Sequence, residues 1–475
     1  DKLCSSMHRS SPDDSERPRV APATTGRVLV RARCVVDGCG VDASPGVLLL
    51  EDGRVLSAGA PASIGHAGET VVLEHERDAV IPALVNAHAH LDLSHVAPID
   101  GGGDFTRWIA AIRAARHPDD ASIAASVRRG IDLSLAGGTA AIGDIAGAGS
   151  PVPTEQLRRS PLGGVSYREF FGVGGRQAAT AAAIREAVAA DVRARGAAAG
   201  AASDPGDPGD PGDPLHRVRL GISPHAPYSC GPAVYAAAAE AAAAGVPVAT
   251  HLAETLEERR FVRDGGGRFE AFLREIGAWD DAVLAGPEAM AATGREVVDL
   301  VLAALARGGP ATAPVLAAHG NYLEPGEEHR LAAAGVHLVY CPRASAWFGH
   351  PHEGHEPHPW RRLAVAGVRV CLGTDVLPCL DTPTRISVLD EMRRLVRRDG
   401  ATAREVLPMG TVRGAEALGL EPGWFTFAPG PVAGVLAVPV AGGGTGAPAD
   451  ALEAAMRRDE GPRWILGPCP PESGG

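Results

Sequence analysis

Hydrophobic and polar positions along this chain follow two rhythms, and the change between them comes near Val80. Between Gly26 and Val80 the apolar positions form short β-like runs: Arg27 to Val36, Val47 to Leu50, Val55 to Ala58 and Thr70 to Leu73. Turn signals such as Glu51-Asp52-Gly53 divide them, which predicts a small antiparallel β domain. After Val80 a short apolar strand is followed by a helical stretch, repeatedly. The predicted strands are Ile81–Ala87, Gly138–Ile145, Gly164–Phe171, Val218–Ser223, Val246–Thr250, Val315–Ala318, His337–Tyr340 and Val368–Leu372. Helical periodicity fills the gaps, as in Phe105–Arg116, Ala121–Ala136, Thr180–Arg195, Pro232–Ala244 and Leu256–Glu275. Eight strands alternating with helices predict an α/β fold of the (β/α)8 barrel type. A doubly wound open sheet is the alternative, but no Gly-rich phosphate fingerprint follows the first strand.

The β-like run Gly430 to Val440 is expected to rejoin the N-terminal segment in a small flanking β-sandwich. The expected division is a disordered lead over 1–25, the β domain over 26–80 plus about 421–440, the barrel over 81–420 and a C-terminal tail over 441–475. That tail is mostly loose Gly/Ala/Pro sequence with one short helix, Ala449–Arg457. Asp204 to Pro214 repeats Asp-Pro-Gly and reads as a solvated loop insertion with no chemistry of its own.

Composition narrows the class of partner. A formal net charge of −12 and the lack of a basic run argue against nucleic acid. No apolar segment approaches the roughly 18 residues of a membrane span. The 8 cysteines are scattered without a C-x-x-C pair, so reduced thiols and a cytoplasmic location are expected. The partner expected is a small-molecule substrate, and a homo-oligomer stays open.

In a barrel of this kind chemistry sits at the C-terminal ends of the strands. The first strand ends in His88 and His90, two residues apart and so on one side of a strand. The third delivers Glu169 within S-Y-R-E-F-F-G, and the fourth His225 within S-P-H-A-P-Y-S. The fifth ends in His251 followed by Glu254, the sixth in His319 and the eighth in Asp375. Taken singly, each such histidine is more simply a hydrogen-bonded structural residue, and Asp375 a helix cap. Together at one face they read as a metal site.

The order H-x-H, H-x-x-E, A-H and G-T-D resembles the amidohydrolase superfamily, most closely its mononuclear deaminases of adenine-type, guanine and cytosine rings. The resemblance runs from about Gly26 to Val440. It implies that His88, His90, His251 and Asp375 hold one divalent ion, zinc or iron. It also implies that Glu254 shuttles protons and His319 polarises the attacked centre. Such an ion lowers the pKa of water toward about 7. Asp375 can then accept a proton, Glu254 can protonate a ring nitrogen and His319 can stabilise a forming alkoxide. Relatives with two metals commonly bridge them with a carboxylated lysine; the only lysine here is Lys2, so one metal is expected.

Substrate signals are finer. His225 matches a substrate-contacting histidine in the deaminases of methylthioadenosine, adenosylhomocysteine and aminofutalosine. The segment Phe105-Thr106-Arg107-Trp108-Ile109 resembles the first barrel loop of the aminofutalosine deaminases. Expected substrate contacts are therefore His225, Trp108, Glu169 and Arg168. The expected reaction is hydrolytic deamination of an amino-substituted purine nucleoside or related heterocycle, with aminodeoxyfutalosine the best single substrate. Alternatives are another C–N or C–halogen bond, or a catalytically silent barrel. Two loops depart from the family pattern: Cys341-Pro342 is followed by Arg343-Ala344-Ser345, and Asp375 by Val376. The run His350, His352, His355, His358 has no standard ligand spacing and reads as a flexible or pocket-edge loop.

Overall fold

The structure, a computed structural model, describes residues 26–468 except 65–69, 102, 148, 202–217, 287–288, 292–293, 353 and 441–447. The expected lead and the Asp-Pro-Gly insertion lie outside the described residues. In chain order the strands are β1 (Arg27–Val36), β2 (Asp42–Ala43), β3 (Gly46–Glu51), β4 (Arg54–Gly59) and β5 (Val71–Pro82). The next eight are β6 (Leu84–Ala89), β7 (Thr139–Ala146), β8 (Gly163–Phe170), β9 (Arg219–Pro224), β10 (Val248–Leu252), β11 (Val315–His319), β12 (His337–Tyr340) and β13 (Val370–Leu372). β14 (Gly430–Pro431), β15 (Val435–Pro439) and β16 (Arg463–Leu466) follow.

Strands β6 to β13 pair in chain order, every pair parallel, with helices in the connections. The ring closes where the amides of Thr374 and Asp375 donate to the His88 carbonyl at 2.9 and 3.0 Å. Gly373 permits that closure, because a Cβ there would meet the His88 Cβ at 2.7 Å. Inward-facing Val85, Val165, Tyr167, Leu316, Val339 and Cys371 fill the barrel. Side chains, not a channel, occupy the interior, as strand alternation in a closed barrel requires.

The flanking sheet runs β14-β4-β3-β1-β5-β15-β16, with β2 on β1. It is mixed: β1 pairs parallel with β5 and antiparallel with β3. Two of its strands differ from expectation. β5 continues from Val71 to Pro82 through the charged run Glu74 to Asp78, which looked like a break. Its first half is largely exposed, so charges are tolerated there, and Glu74 pairs with Arg31 of β1 at 3.1 Å. The first barrel strand consequently begins at Leu84 instead of Ile81. β16, within the stretch read as a loose tail, pairs antiparallel with β15, and Trp464 Nε1 donates to the Leu135 carbonyl at 2.8 Å. The predicted helix Leu256–Glu275 is two helices, Leu256–Asp264 and Arg268–Glu275. Gly265 and Gly267 at φ +80° and +91° make the break. Left-handed φ suits glycine and ends a helix.

Candidate active site

Three strand ends bring four imidazoles to one point. His88 is the penultimate residue of β6 and His90 lies just beyond it; His251 sits in β10 and His319 ends β11. The ring centroid of His88 lies 5.1 Å from that of His90, 5.0 Å from His251 and 5.5 Å from His319. Asp375 Oδ1 lies 3.6 Å from His88 Nε2 and 3.4 Å from His90 Nε2. Every one of these side chains is buried.

The donor set fits a divalent cation. Ligand atoms of His88, His90 and His251 lie within 4.8 Å of one another, as do those of His88, His319 and Asp375. His251 Nδ1 lies 2.7 Å from the His225 carbonyl, which can only accept, so Nδ1 carries the proton and Nε2 presents its lone pair inward. His88 Nε2 is buried without a hydrogen-bond partner among the described residues. Burial, reinforced by His88, keeps His90 well below the usual imidazole range and lowers His251 to about 4. Neutral imidazole is the form that ligates.

Glu254 and His319 form the second part of the site. Glu254 follows β10, in a loop where Ala253 takes φ +50°. The amides of Ala253 and Glu254 donate to the buried Glu258 carboxylate at 3.3 and 2.9 Å, and Asn321 Nδ2 donates to the Glu254 carbonyl at 3.1 Å. Glu254 Oε1 then stands 3.7 Å from His319 Nε2, itself buried without a hydrogen-bond partner among the described residues. Burial, with the charges of Asp375 and Glu258 added, pushes the Glu254 carboxyl well above its usual range. Burial alone would also raise Asp375, but His88, His319 and His90 around it outweigh that and hold it below the usual carboxylate range. The two carboxyls are pushed in opposite directions, the division acid–base chemistry needs.

Of these groups His90, His251, Glu254, His319 and Asp375 line a cavity of about 450 Å³. Trp108, Phe105, Phe171, Glu169 and His225 line it as well. Phe105 and Trp108 stack with centroids 5.8 Å apart, and Phe348 meets the Trp108 ring edge-on at 4.8 Å. His225 Nδ1 lies 2.7 Å from Ser229 Oγ, and its Nε2 lies 3.8 Å from Glu169 Oε1. Burial raises the Glu169 carboxyl to about 7 against the pull of Arg116. Arg168, expected as a contact, does not line this cavity: it is the exposed residue of β8 and lies over Phe170, 5.2 Å from the ring centroid. Adjacent residues in a strand face opposite sides, so Glu169 and Arg168 could not both enter.

The structure adds residues that the sequence did not reveal. Asn86 Nδ2 donates to Thr374 Oγ1 at 2.8 Å and its Oδ1 accepts from the Thr374 amide at 3.1 Å, locking the first and last strands behind the imidazoles. Arg116 lines the cavity, paired with Asp92 and 4.0 Å from Glu169. The N-A-H-A-H run offered a hint of Asn86; nothing local pointed to Arg116. Of the two departing loops, Val376 lines the cavity, whereas Arg343 is buried away from it with Nε donating to Glu391 at 2.6 Å.

Comparison with known proteins agrees with this geometry. A family model described as "Amidohydrolase family" matches residues 79–438. The chain is 28% identical over 355 residues to an aminodeoxyfutalosine deaminase of Deinococcus radiodurans, covering 73% of this chain and 75% of that one. It is 25% identical over 407 residues to a 5-methylthioadenosine/S-adenosylhomocysteine deaminase of Symbiobacterium thermophilum, covering 83% and 80%. In fold it is similar to the crystal structure of aminofutalosine deaminase from Helicobacter pylori, with a TM-score of 0.68 at 17% identity over 93% of this chain and 98% of that one. The match spans the barrel and every histidine and carboxylate of the site described above, and the chain belongs to the amidohydrolase family.

Proposed function

We propose that this protein is a one-metal hydrolytic deaminase of an adenine-type nucleoside, with aminodeoxyfutalosine its best single substrate. The observation carrying this reading is the placement of Glu254, Asp375 and His319 beside three converging imidazoles, at the floor of a cavity of nucleoside size. His88, His90, His251 and Asp375 would hold the ion, zinc or iron. When bound, it supplies Lewis acidity and makes hydroxide accessible near neutral pH.

The protein's own groups do the rest. Asp375, ionised, accepts a proton from the attacking water. Glu254, protonated, delivers its proton to the ring nitrogen next to the attacked carbon; the proton that Asp375 took from water then passes to the departing amine, and the second proton of that water returns to Glu254 as the carbonyl forms. His319 offers Nε2 to the oxygen on which charge develops. Loss of the amine as ammonia leaves a ring carbonyl. Trp108 and Phe105 give the purine an apolar wall, and the Glu169–His225 pair faces the polar part of the nucleoside. The thiols of Cys34, Cys230, Cys341, Cys371 and Cys379 are buried and unpaired, which suits a reducing cytoplasm. Among the described residues no helix is long and apolar enough to cross a membrane.

The test is ammonia release by zinc- or iron-loaded protein across aminodeoxyfutalosine, methylthioadenosine, adenosylhomocysteine, adenosine, guanine, cytosine and a triazine. Turnover is expected on an adenine nucleoside, fastest on aminodeoxyfutalosine. No ammonia from any of them would refute deamination.

A further inference from the structure

The histidine run from His350 to His358 takes no part in the steps above, yet it is tied to one of the groups that do. His350 Nδ1 lies 2.9 Å from Tyr322 Oη, and the His352 amide donates to that same oxygen at 2.9 Å. At the other end His358 Nε2 lies 2.8 Å from the backbone carbonyl of His319. A carbonyl only accepts, so His358 Nε2 carries a proton. The His358 ring is buried and stacks on Tyr340, with centroids 3.5 Å apart and 9° between the planes. Tyr340 ends β12 and its hydroxyl receives Arg398 Nη2 at 2.7 Å. The donor is therefore held from behind.

What it donates to is a strained piece of backbone. His319 has φ +75°, rare for a residue with a side chain, and Gly320 follows at φ +66°. One peptide unit joins them, and both of its polar edges are engaged. The His319 carbonyl receives His358, and the Gly320 amide donates to the Leu252 carbonyl of β10 at 2.9 Å. Two bonds on opposite edges set the rotation of that peptide plane, hence ψ of the left-handed His319. The direction of its imidazole follows, and Nε2 ends 3.7 Å from Glu254 Oε1.

We propose that His358 is a positioning residue: its Nε2–H clamps the His319–Gly320 peptide so that the His319 imidazole faces the reacting centre. Tyr322 anchors the start of the same segment through His350 and His352. The role rests on the reading of His319 as the group that stabilises the developing oxygen. It explains why a histidine serves at 358: a flat ring fits against Tyr340 and a single N–H reaches the carbonyl.

The test compares His358→Gln, whose amide N–H reaches the former Nε2 position, with His358→Asn, whose amide stops short. Both are polar, and both are measured as metal-loaded full chains by steady-state kinetics, metal content and crystallography. The Gln variant is expected to keep kcat within about threefold, and the Asn variant to lose about 10- to 100-fold, the scale of an ångström-size misplacement. KM and bound metal should match wild type in both, and the His319 ring should be displaced only in the Asn variant. Equal kcat for the two variants with an unmoved His319 ring would overturn the clamp. Should wild type turn over no purine, the deaminase reading fails, and the ring position in the two structures alone decides the clamp.

Discussion

Two buried polar clusters in this molecule invite comparison. Around Arg343 every charged partner is matched. Nε donates to Glu391 at 2.6 Å, Nη1 to Asp381 and Thr382 at 3.1 and 2.7 Å, and Nη2 to the Ser387 carbonyl at 3.3 Å. At the barrel mouth the opposite holds. His88 Nε2, His90 Nδ1, His319 Nε2 and Glu169 Oε2 are buried without hydrogen-bond partners among the described residues. Desolvation without compensation costs about 1–3 kcal/mol per group. A fold that tolerates several such atoms side by side keeps them for something that arrives later. The satisfied cluster is structure and the unsatisfied one is chemistry. Substitutions in the two should therefore separate stability from turnover.

The largest effect expected is from metal removal: dialysis against a chelator should abolish ammonia release, and zinc or iron should restore it. Next, Glu254→Gln should lower kcat by about 10²- to 10⁴-fold, the usual worth of a positioned acid or base, without lowering the melting temperature. In the satisfied cluster the pattern reverses. Arg343→Ala leaves the buried Glu391 carboxylate unpaired and should cost about 3–5 kcal/mol in denaturant unfolding. Its kcat per folded molecule should stay near wild type.

A smaller effect comes from Glu169, whose folded value is raised from 4.5 to about 7 by burial. Between those two values the folded state binds more protons than the unfolded state, so raising the pH costs stability. The contribution is fully present below the lower value and lost as pH rises through the upper one. Glu169→Gln should flatten that dependence in metal-free protein, which melting temperatures across this range would show. Smallest of all, Arg168→Ala should leave kcat/KM unchanged, because Arg168 lies outside the cavity.

The pattern of what could be read from the chain follows the range of the forces involved. The barrel and its strand-end residues were legible because a parallel strand is a contiguous apolar run and its last residue faces the mouth. The same periodicity separates Glu169 from Arg168, since only one of two neighbours can face inward. The break at Gly265 to Gly267 was missed although the Gly-Gly-Gly run carries it, because the apolar helical period resumes on its far side. What depends on register between distant segments was not legible. Asn86 and Thr374 are joined only because the barrel closes, and His358 meets His319 only because the two connections converge. β5 was obscured for another reason: a strand exposed along half its length need not look apolar.

The proposed function divides the groups at the barrel mouth into those that would hold a metal and those that would move protons, and the Glu254→Gln protein tests that division most directly. Its metal content, measured after purification and gel filtration alongside wild type and His251→Ala, is the decisive quantity. The Glu254→Gln protein is expected to carry as much metal as wild type while His251→Ala carries little. Loss of the metal from Glu254→Gln would place Glu254 among the ligands and contradict the division.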